Sequence, residues 1–259
     1  MRQIIIGDVH GCLSELIELI EQLEVTNKDR LVFLGDLIDR GPHSVETVRY
    51  VRELECEAIM GNHEEKCTRW RYHEARRRAT GRPNPMRKIA PDRKAEWEAF
   101  SEDEIEWMRN LPITLQLTPD WIAVHGGLEP KPLSEQQNGR MIRMRYLDSK
   151  TLEPVPLEYD LEQPADTMFW SELWEGPQSV VYGHAVHGNS PRVDWCENPD
   201  YPDRKIWCIG VDTGACFGGM LTALVTDDDF KTWNFAQVKA KKAYRNLIPG
   251  MNAGISLAI

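Results

Sequence analysis

Five short apolar runs, each stopping at a glycine or a histidine beside residues that could bind metal or move protons, constrain this chain more than any other feature. They are "IIIG" at 4–7, "LVFLG" at 31–35, "AIMG" at 58–61, "WIAVHGG" at 121–127 and "SVVYGH" at 179–184. Runs this short, rich in β-branched residues and bounded by glycine, read as buried strands. Between the first two, "LSELIELIEQLE" sets Leu13, Leu16, Ile17, Ile20 and Leu23 at helical spacing. Between the next two, Ser44 can cap a helix carrying Val45, Val48, Val51 and Leu54. The pattern is β-α-β-α-β, so the sheet is at least partly parallel. Open α/β sheets bind ligands outside the carboxyl ends of their strands, and the charged residues that stop each run converge there.

The remainder is organised around that unit. Residues 64–110 turn charged and aromatic and read as two or more helices around a Pro-rich loop, a helical cap or insertion. Residues 129–178 are Pro- and Glu-rich with weak periodicity. "KIWCIGVDTGACFGGMLTALVTDD" reads as a strand, a glycine-rich turn and a strand of a second, more antiparallel sheet, and one further strand is expected near Asn234 to Val238. A length of 259 residues with 41% hydrophobic content suits a single α/β (α+β) domain spanning 1–259. The net charge of −10 gives no footprint for non-specific nucleic-acid or anionic-membrane binding. The six cysteines form no zinc-ribbon spacing, and no apolar run approaches the ~20 residues of a membrane span. A reduced, cytoplasmic, soluble protein is expected.

The groups that follow the strands are Asp8 and His10 in "GDVHG", Asp36 and Asp39 in "GDLIDRG", Asn62 and His63 in "GNHE", His125 in "HGG" and His184 in "GH". Carboxylate, carboxamide and imidazole without thiolate favour Mn²⁺, Fe²⁺ or Zn²⁺. The set is too large for one open catalytic ion. It suits two ions roughly 3.5–4 Å apart that share an aspartate and keep positions for water and phosphate. Asp36 then ends its strand on charge because it binds metal there. Arg40 presents a fork of donors suited to two phosphate oxygens, and Asp39 can orient a neighbouring histidine, for which His63 is the candidate.

In that order, "GDVHG", "GDLIDRG", "GNHE" and "HGG" resemble the signature of the phosphoprotein phosphatase branch of the calcineurin-like metallophosphoesterases, over about residues 3–227. The resemblance implies a β-sandwich of two mixed sheets flanked by helices, with two metals at its edge. Carried over by position, it implies that Asp8, His10 and Asp36 bind the first ion and that Asp36, Asn62, His125 and His184 bind the second. His63 with Asp39 would protonate the leaving oxygen, and Asn62 would also touch substrate. The family supplies a second phosphate-binding arginine between "HGG" and the last histidine. Here "MIRMRYLD" is similar to a stretch of bacterial diadenosine tetraphosphate hydrolases, which makes Arg143 the first choice and Arg145 the second.

The expected activity is a two-metal phosphatase, with Mn²⁺ as the first choice of ion, in which a metal-bridging hydroxide attacks phosphorus directly. "DRG" and "GNHE" point to phosphomonoesters, as in a serine/threonine protein phosphatase; "DTGACFGGMLTAL" points to the alternative, a symmetrical diadenosine tetraphosphate hydrolase or a nucleic-acid-end phosphatase. The partner is thus a phosphorylated substrate, a phosphoprotein or small phosphoester or a nucleotide, and no membrane. A catalytically dead binding module would not need the full ligand set. Bland readings hold elsewhere: Asp212 suits a hairpin turn, His43 and His187 a solvated surface, the arginines at 76–78 a solvated helix face, and Trp70 and Trp97 packing.

Overall fold

The computed structural model describes residues 1–155 and 163–246, so 156–162 of the Pro- and Glu-rich stretch and 247–259 of the tail lie outside it. β1 (Gln3–Ile6), α1 (Leu13–Gln22), β2 (Arg30–Phe33), α2 (Ser44–Glu53) and the two-residue β3 (Glu57–Ala58) form the expected β-α-β-α-β unit. Between β3 and the next strand lie α3 (Asn62–Thr80), α4 (Pro91–Ala99) and α5 (Glu102–Arg109). α3 ends on Gly81, whose φ of 71° closes the helix in the left-handed region that glycine adopts without strain. α5 starts on a reciprocal box in which Ser101 and Glu104 each accept the other's backbone N–H.

The chain continues through β4 (Thr114–Thr118), β5 (Trp121–Val124), α6 (Asn138–Met141), β6 (Tyr146–Asp148), β7 (Thr167–Phe169), β8 (Ser179–Tyr182), β9 (Arg192–Glu197), β10 (Lys205–Gly210), β11 (Met220–Thr226) and β12 (Trp233–Lys239). One five-stranded sheet has the order β12-β11-β1-β2-β3, the other β4-β5-β8-β10-β9, and β6 pairs with β7. β1, β2 and β3 run parallel, as do β5, β8 and β10; the outer pairings are antiparallel. Both sheets are therefore mixed.

The strand–turn–strand at 205–226 is corrected: β10 belongs to the second sheet, but β11 crosses to the first and pairs with β1. Ser44 is corrected too. It is the first residue of α2, no side chain caps that helix, and the Ser44 hydroxyl accepts the Asp39 N–H at 2.8 Å instead.

Burial explains why the runs are continuous and not alternating. Ile5, Val32 and Leu34 of the first sheet meet Ala123, Val181 and Ile209 of the second between the sheets. Their neighbours Ile4, Ile6 and Phe33 face Leu16, Leu19, Val48 and Val51 of the helices on the other side. A strand covered on both faces needs apolar residues at every position, and each such side chain contributes roughly 1.5–3 kcal/mol. The outer face of the second sheet is covered likewise, with Val124, Val180 and Tyr182 against Met141, Phe169 and Trp170. The carboxyl ends of β1, β2, β3, β5 and β8 meet at one edge of this sandwich.

Candidate metal centre

The loops after β1 and β2 are laced together before any ligand is considered. Val9 and His10 donate their N–H groups to Asp36 O, Gly11 to Leu37 O, and Gly41 to His10 O. Five site residues sit in the left-handed region: His10 (φ 48°), Asp36 (49°), Asp39 (69°), Arg40 (72°) and His184 (65°). Each such non-glycine residue costs on the order of 1–3 kcal/mol and persists only where surrounding bonds hold it. The largest brace is Glu64, which is fully buried and accepts from Asp36 N (2.8 Å), Leu37 N (2.8 Å), Gly61 N (3.0 Å) and Ile38 N (3.3 Å). Gly35 (φ 87°) must be glycine, because a Cβ there would strike the Gly61 backbone.

Two clusters share Asp36: His10, Asp36 and His63 on one side, and Asp36, His125 and His184 on the other. His10 Nε2 lies 3.5 Å from Asp36 Oδ2 and 3.7 Å from Asp8 Oδ2. His125 Nε2 lies 3.3 Å from Asp36 Oδ1 and 3.1 Å from Asn62 Oδ1. His10 Nδ1 and His125 Nδ1 bond the carbonyls of Ile38 (2.8 Å) and Leu34 (2.7 Å). Donation there leaves each Nε2 free to bind a cation. The Asp8 carboxylate reaches across the seam, where Oδ1 accepts the His184 N–H at 2.9 Å.

This donor set fits two divalent cations. Asp8 Oδ2 and Asp36 Oδ2 are buried without a hydrogen-bond partner among the described residues, as is Asp212 Oδ2 beside them. Burial, with the neighbouring charge of Asp212, pushes Asp8 well above the usual carboxylate range. Burial would do the same to Asp36, but His125 and His63 outweigh it and hold that carboxyl low. Buried carboxylates crowded in this way need positive charge between them.

The residues expected from sequence as metal ligands all meet here, and those expected to face phosphate sort differently. The Arg40 guanidinium lies 2.7 Å from His10 Nε2 and over the Phe217 ring. Arg145 reaches His184 through Nε to Nε2 (3.2 Å) and Nη2 to the carbonyl (2.8 Å). Arg143, the first choice from sequence, is exposed and pairs with Glu65 at the rim, so the geometry ranks Arg145 ahead of it. His63 Nδ1 bonds Asp39 Oδ2 at 2.5 Å, and Nε2 points to within 3.8 Å of Asp36 Oδ2.

Asp212 lies not in a hairpin but in the crossing from β10 to β11, where Oδ1 accepts the Gly214 N–H (3.0 Å) and its carboxyl group faces Arg40 and Arg145. His187 is half-buried against the Phe169 ring, not solvated. The arginines at 76–78 are exposed, and Arg77 and Arg78 pair with Glu74. Sequence reasoning missed Glu64, Arg93 and Trp97. Glu64 was visible only as the last letter of "GNHE"; Arg93 and Trp97 join Asp39 from α4, for which no local signal exists.

A family model described as calcineurin-like phosphoesterase matches residues 1–209. The symmetrical bis(5'-nucleosyl)-tetraphosphatase of Cronobacter sakazakii is 35% identical over 51% of this chain and 44% of that protein. The asymmetrical bis(5'-nucleosyl)-tetraphosphatase PrpE of Halalkalibacterium halodurans is 28% identical over 85% of this chain and 88% of its own length. A solved structure of a candidate diadenosine tetraphosphatase superposes with a TM-score of 0.65 at 23% identity, covering 92% of this chain and 93% of that one, a likeness of fold.

Proposed function

The chain belongs to the calcineurin-like phosphoesterase family and is a phosphoric ester hydrolase, and on that footing we propose that it cleaves dinucleoside polyphosphates of the bis(5'-nucleosyl)-tetraphosphate kind. The observation that carries this is the name shared by relatives matched along most of the chain. Sequence motifs alone put phosphomonoesters first; these relatives reverse the order. A polyphosphate chain brings several negative charges, and the site offers Arg40 and Arg145 inside with Arg143 at its rim.

Asp8, His10 and Asp36 would hold one ion, and Asp36, Asn62, His125 and His184 the other; Mn²⁺ is our first choice for this oxygen and nitrogen set, ahead of Fe²⁺ or Zn²⁺. When bound, the ions lower the pKa of water and neutralise phosphoryl oxygens. Arg40 and Arg145 take the remaining phosphoryl oxygens as charge shifts during in-line attack. The water first loses a proton to solvent, and a new bond from the resulting hydroxide oxygen to phosphorus forms as the bond to the leaving oxygen breaks. His63 hands the proton at Nε2 to that leaving oxygen, and Asp39 holds the opposite nitrogen.

Residues 64–110 serve as a cap inserted in this single domain. The six free thiols suit a reducing cytoplasm, and among the described residues no helix is long and apolar enough to cross a membrane.

Protein loaded with Mn²⁺ should turn over diadenosine tetraphosphate with a higher kcat/KM than phosphoserine peptides or 3'- or 5'-phosphorylated oligonucleotides. Anion-exchange chromatography of the products tells symmetric cleavage, which yields only ADP, from asymmetric cleavage, which yields ATP and AMP. A higher kcat/KM on the phosphopeptide would return the phosphomonoesterase reading to first place.

A further inference from the structure

Helix α4 reaches into the reaction centre. Trp97 is fully buried and donates its indole N–H to Asp39 Oδ1 at 2.8 Å. Arg93 pairs with Asp39 Oδ2, and the same nitrogen lies 2.9 Å from His63 Nδ1. The Arg93 guanidinium also stacks over the Trp97 ring, 4.7 Å from its centroid. Asp39 therefore has three side-chain donors, and two of them come from one helix more than fifty positions later in the chain. Its own loop holds only its backbone, with the Asp39 N–H on the Ser44 hydroxyl and the Gly41 N–H on the Asp39 carbonyl, while the carboxylate is held by His63 and α4.

We propose that Arg93 and Trp97 are positioning residues that act through Asp39 to aim the His63 imidazole, which makes the helical insertion part of the proton-transfer machinery. This rests on the reading of His63 as proton donor. A carboxylate bonded only to His63 can rotate about its Cβ–Cγ axis, and the imidazole turns with it. Donors on both oxygens, fixed to a packed helix, set the carboxylate plane and with it the direction of Nδ1–H and Nε2. Packing alone would bury Trp97 but would not require its N–H to end on Asp39, nor bring Arg93 to the same carboxylate.

The first test uses metal-free protein. The imidazole Nδ1–H of His63 should give a far-downfield proton resonance, assigned by its loss in His63→Asn. Trp97→Phe keeps the ring packing and removes the N–H, and Arg93→Gln removes the charge. Both should move that resonance upfield, and an unchanged resonance in both would overturn the proposal.

The second test uses Mn²⁺-loaded protein and two esters. With either variant, kcat should fall about 10-fold on phenyl phosphate, whose leaving group needs a proton, and less than roughly threefold on 4-nitrophenyl phosphate, with KM unchanged. Adding either substitution to His63→Asn should cost nothing more. Equal losses on both esters, or additive losses with His63→Asn while that variant alone stays selective, would overturn the proposal and assign the pair to phosphate binding. Equal losses in His63→Asn itself would instead remove the proton-donor reading, and the resonance would still decide whether α4 positions the ring.

Discussion

Asp36 carries two structural duties at once, which is why its loss should be the least tolerated. Oδ1 accepts the His63 N–H at 2.9 Å and faces His125, while Oδ2 is buried between the two donor clusters without a hydrogen-bond partner among the described residues. Asp36→Asn should lower the metal stoichiometry of purified protein and abolish turnover; retention of two ions per chain would refute the shared position. The arginines separate in the same way. Arg145→Ala should cut kcat/KM by about 100-fold, on the scale of one preorganised donor, and Arg143→Ala by less than about 10-fold. A larger loss at Arg143 would restore the order read from sequence. His125 adds a pH dependence. Burial lowers its pKa, but Asp36 and Asp8 outweigh that and bring it up to about 9 in the metal-free protein. A cation must displace that proton, so apparent metal affinity should rise with pH through the neutral range and level off above the His125 pKa. Calorimetric titrations in buffers of different ionisation enthalpy would count the released proton, and a pH-independent affinity would refute the assignment.

Among the elements, Glu64 shows where a motif conceals a structural device. This residue at the start of α3 gathers N–H groups from the β2–α2 loop and from Gly61. In Glu64→Gln, an amide NH₂ would face N–H donors, which should cost about 2 kcal/mol and lower Tm by roughly 4–8 °C. Weaker metal binding should accompany the loss, because Asp36 would no longer be braced; a normal metal affinity would mean that its left-handed turn holds without Glu64. The strands that end at the candidate metal centre were legible because burial on both faces writes continuous apolar runs, and carboxylate, carboxamide and imidazole residues write a sharp boundary after them. The destination of β11 was not legible. A glycine-rich turn between two apolar runs suits a hairpin as well as a crossing between sheets, and only the vacant edge of β1 decides between them. Ser44 misled for a related reason: a hydroxyl at a helix start suits a cap, yet a nearer donor, Asp39 N–H, took it. Arg93 and Trp97 were beyond reach, because their meaning lies in which carboxylate the fold brings to them.

On the scale of the whole molecule, the metal centre lies on the seam between the two sheets. Asp8, Asp36 and Asn62 follow β1, β2 and β3 of the first sheet, and His125 and His184 follow β5 and β8 of the second. Even the direct bonds at the site cross the seam, from His125 to the Leu34 carbonyl and from the His184 N–H to Asp8. Ions bound there would add to the side-chain packing and the few hydrogen bonds that join the two sheets. Without them, the carboxyl groups of Asp8, Asp36 and Asp212 are left crowded and buried at that boundary, each with an oxygen that has no hydrogen-bond partner among the described residues. Chelation should therefore destabilise the protein as a whole and not merely loosen a loop. Two ions, each present at 100-fold over Kd, would contribute roughly 5 kcal/mol in sum, so a chelator should lower Tm by 10 °C or more. Hydrogen exchange locates the effect. Amides of β1 in one sheet and β8 in the other should lose protection together when metal is removed and regain it together with Mn²⁺. If protection fell only in the ligand loops while both strands kept theirs, the ions would serve chemistry alone, and the packing between the sheets would suffice to hold the fold.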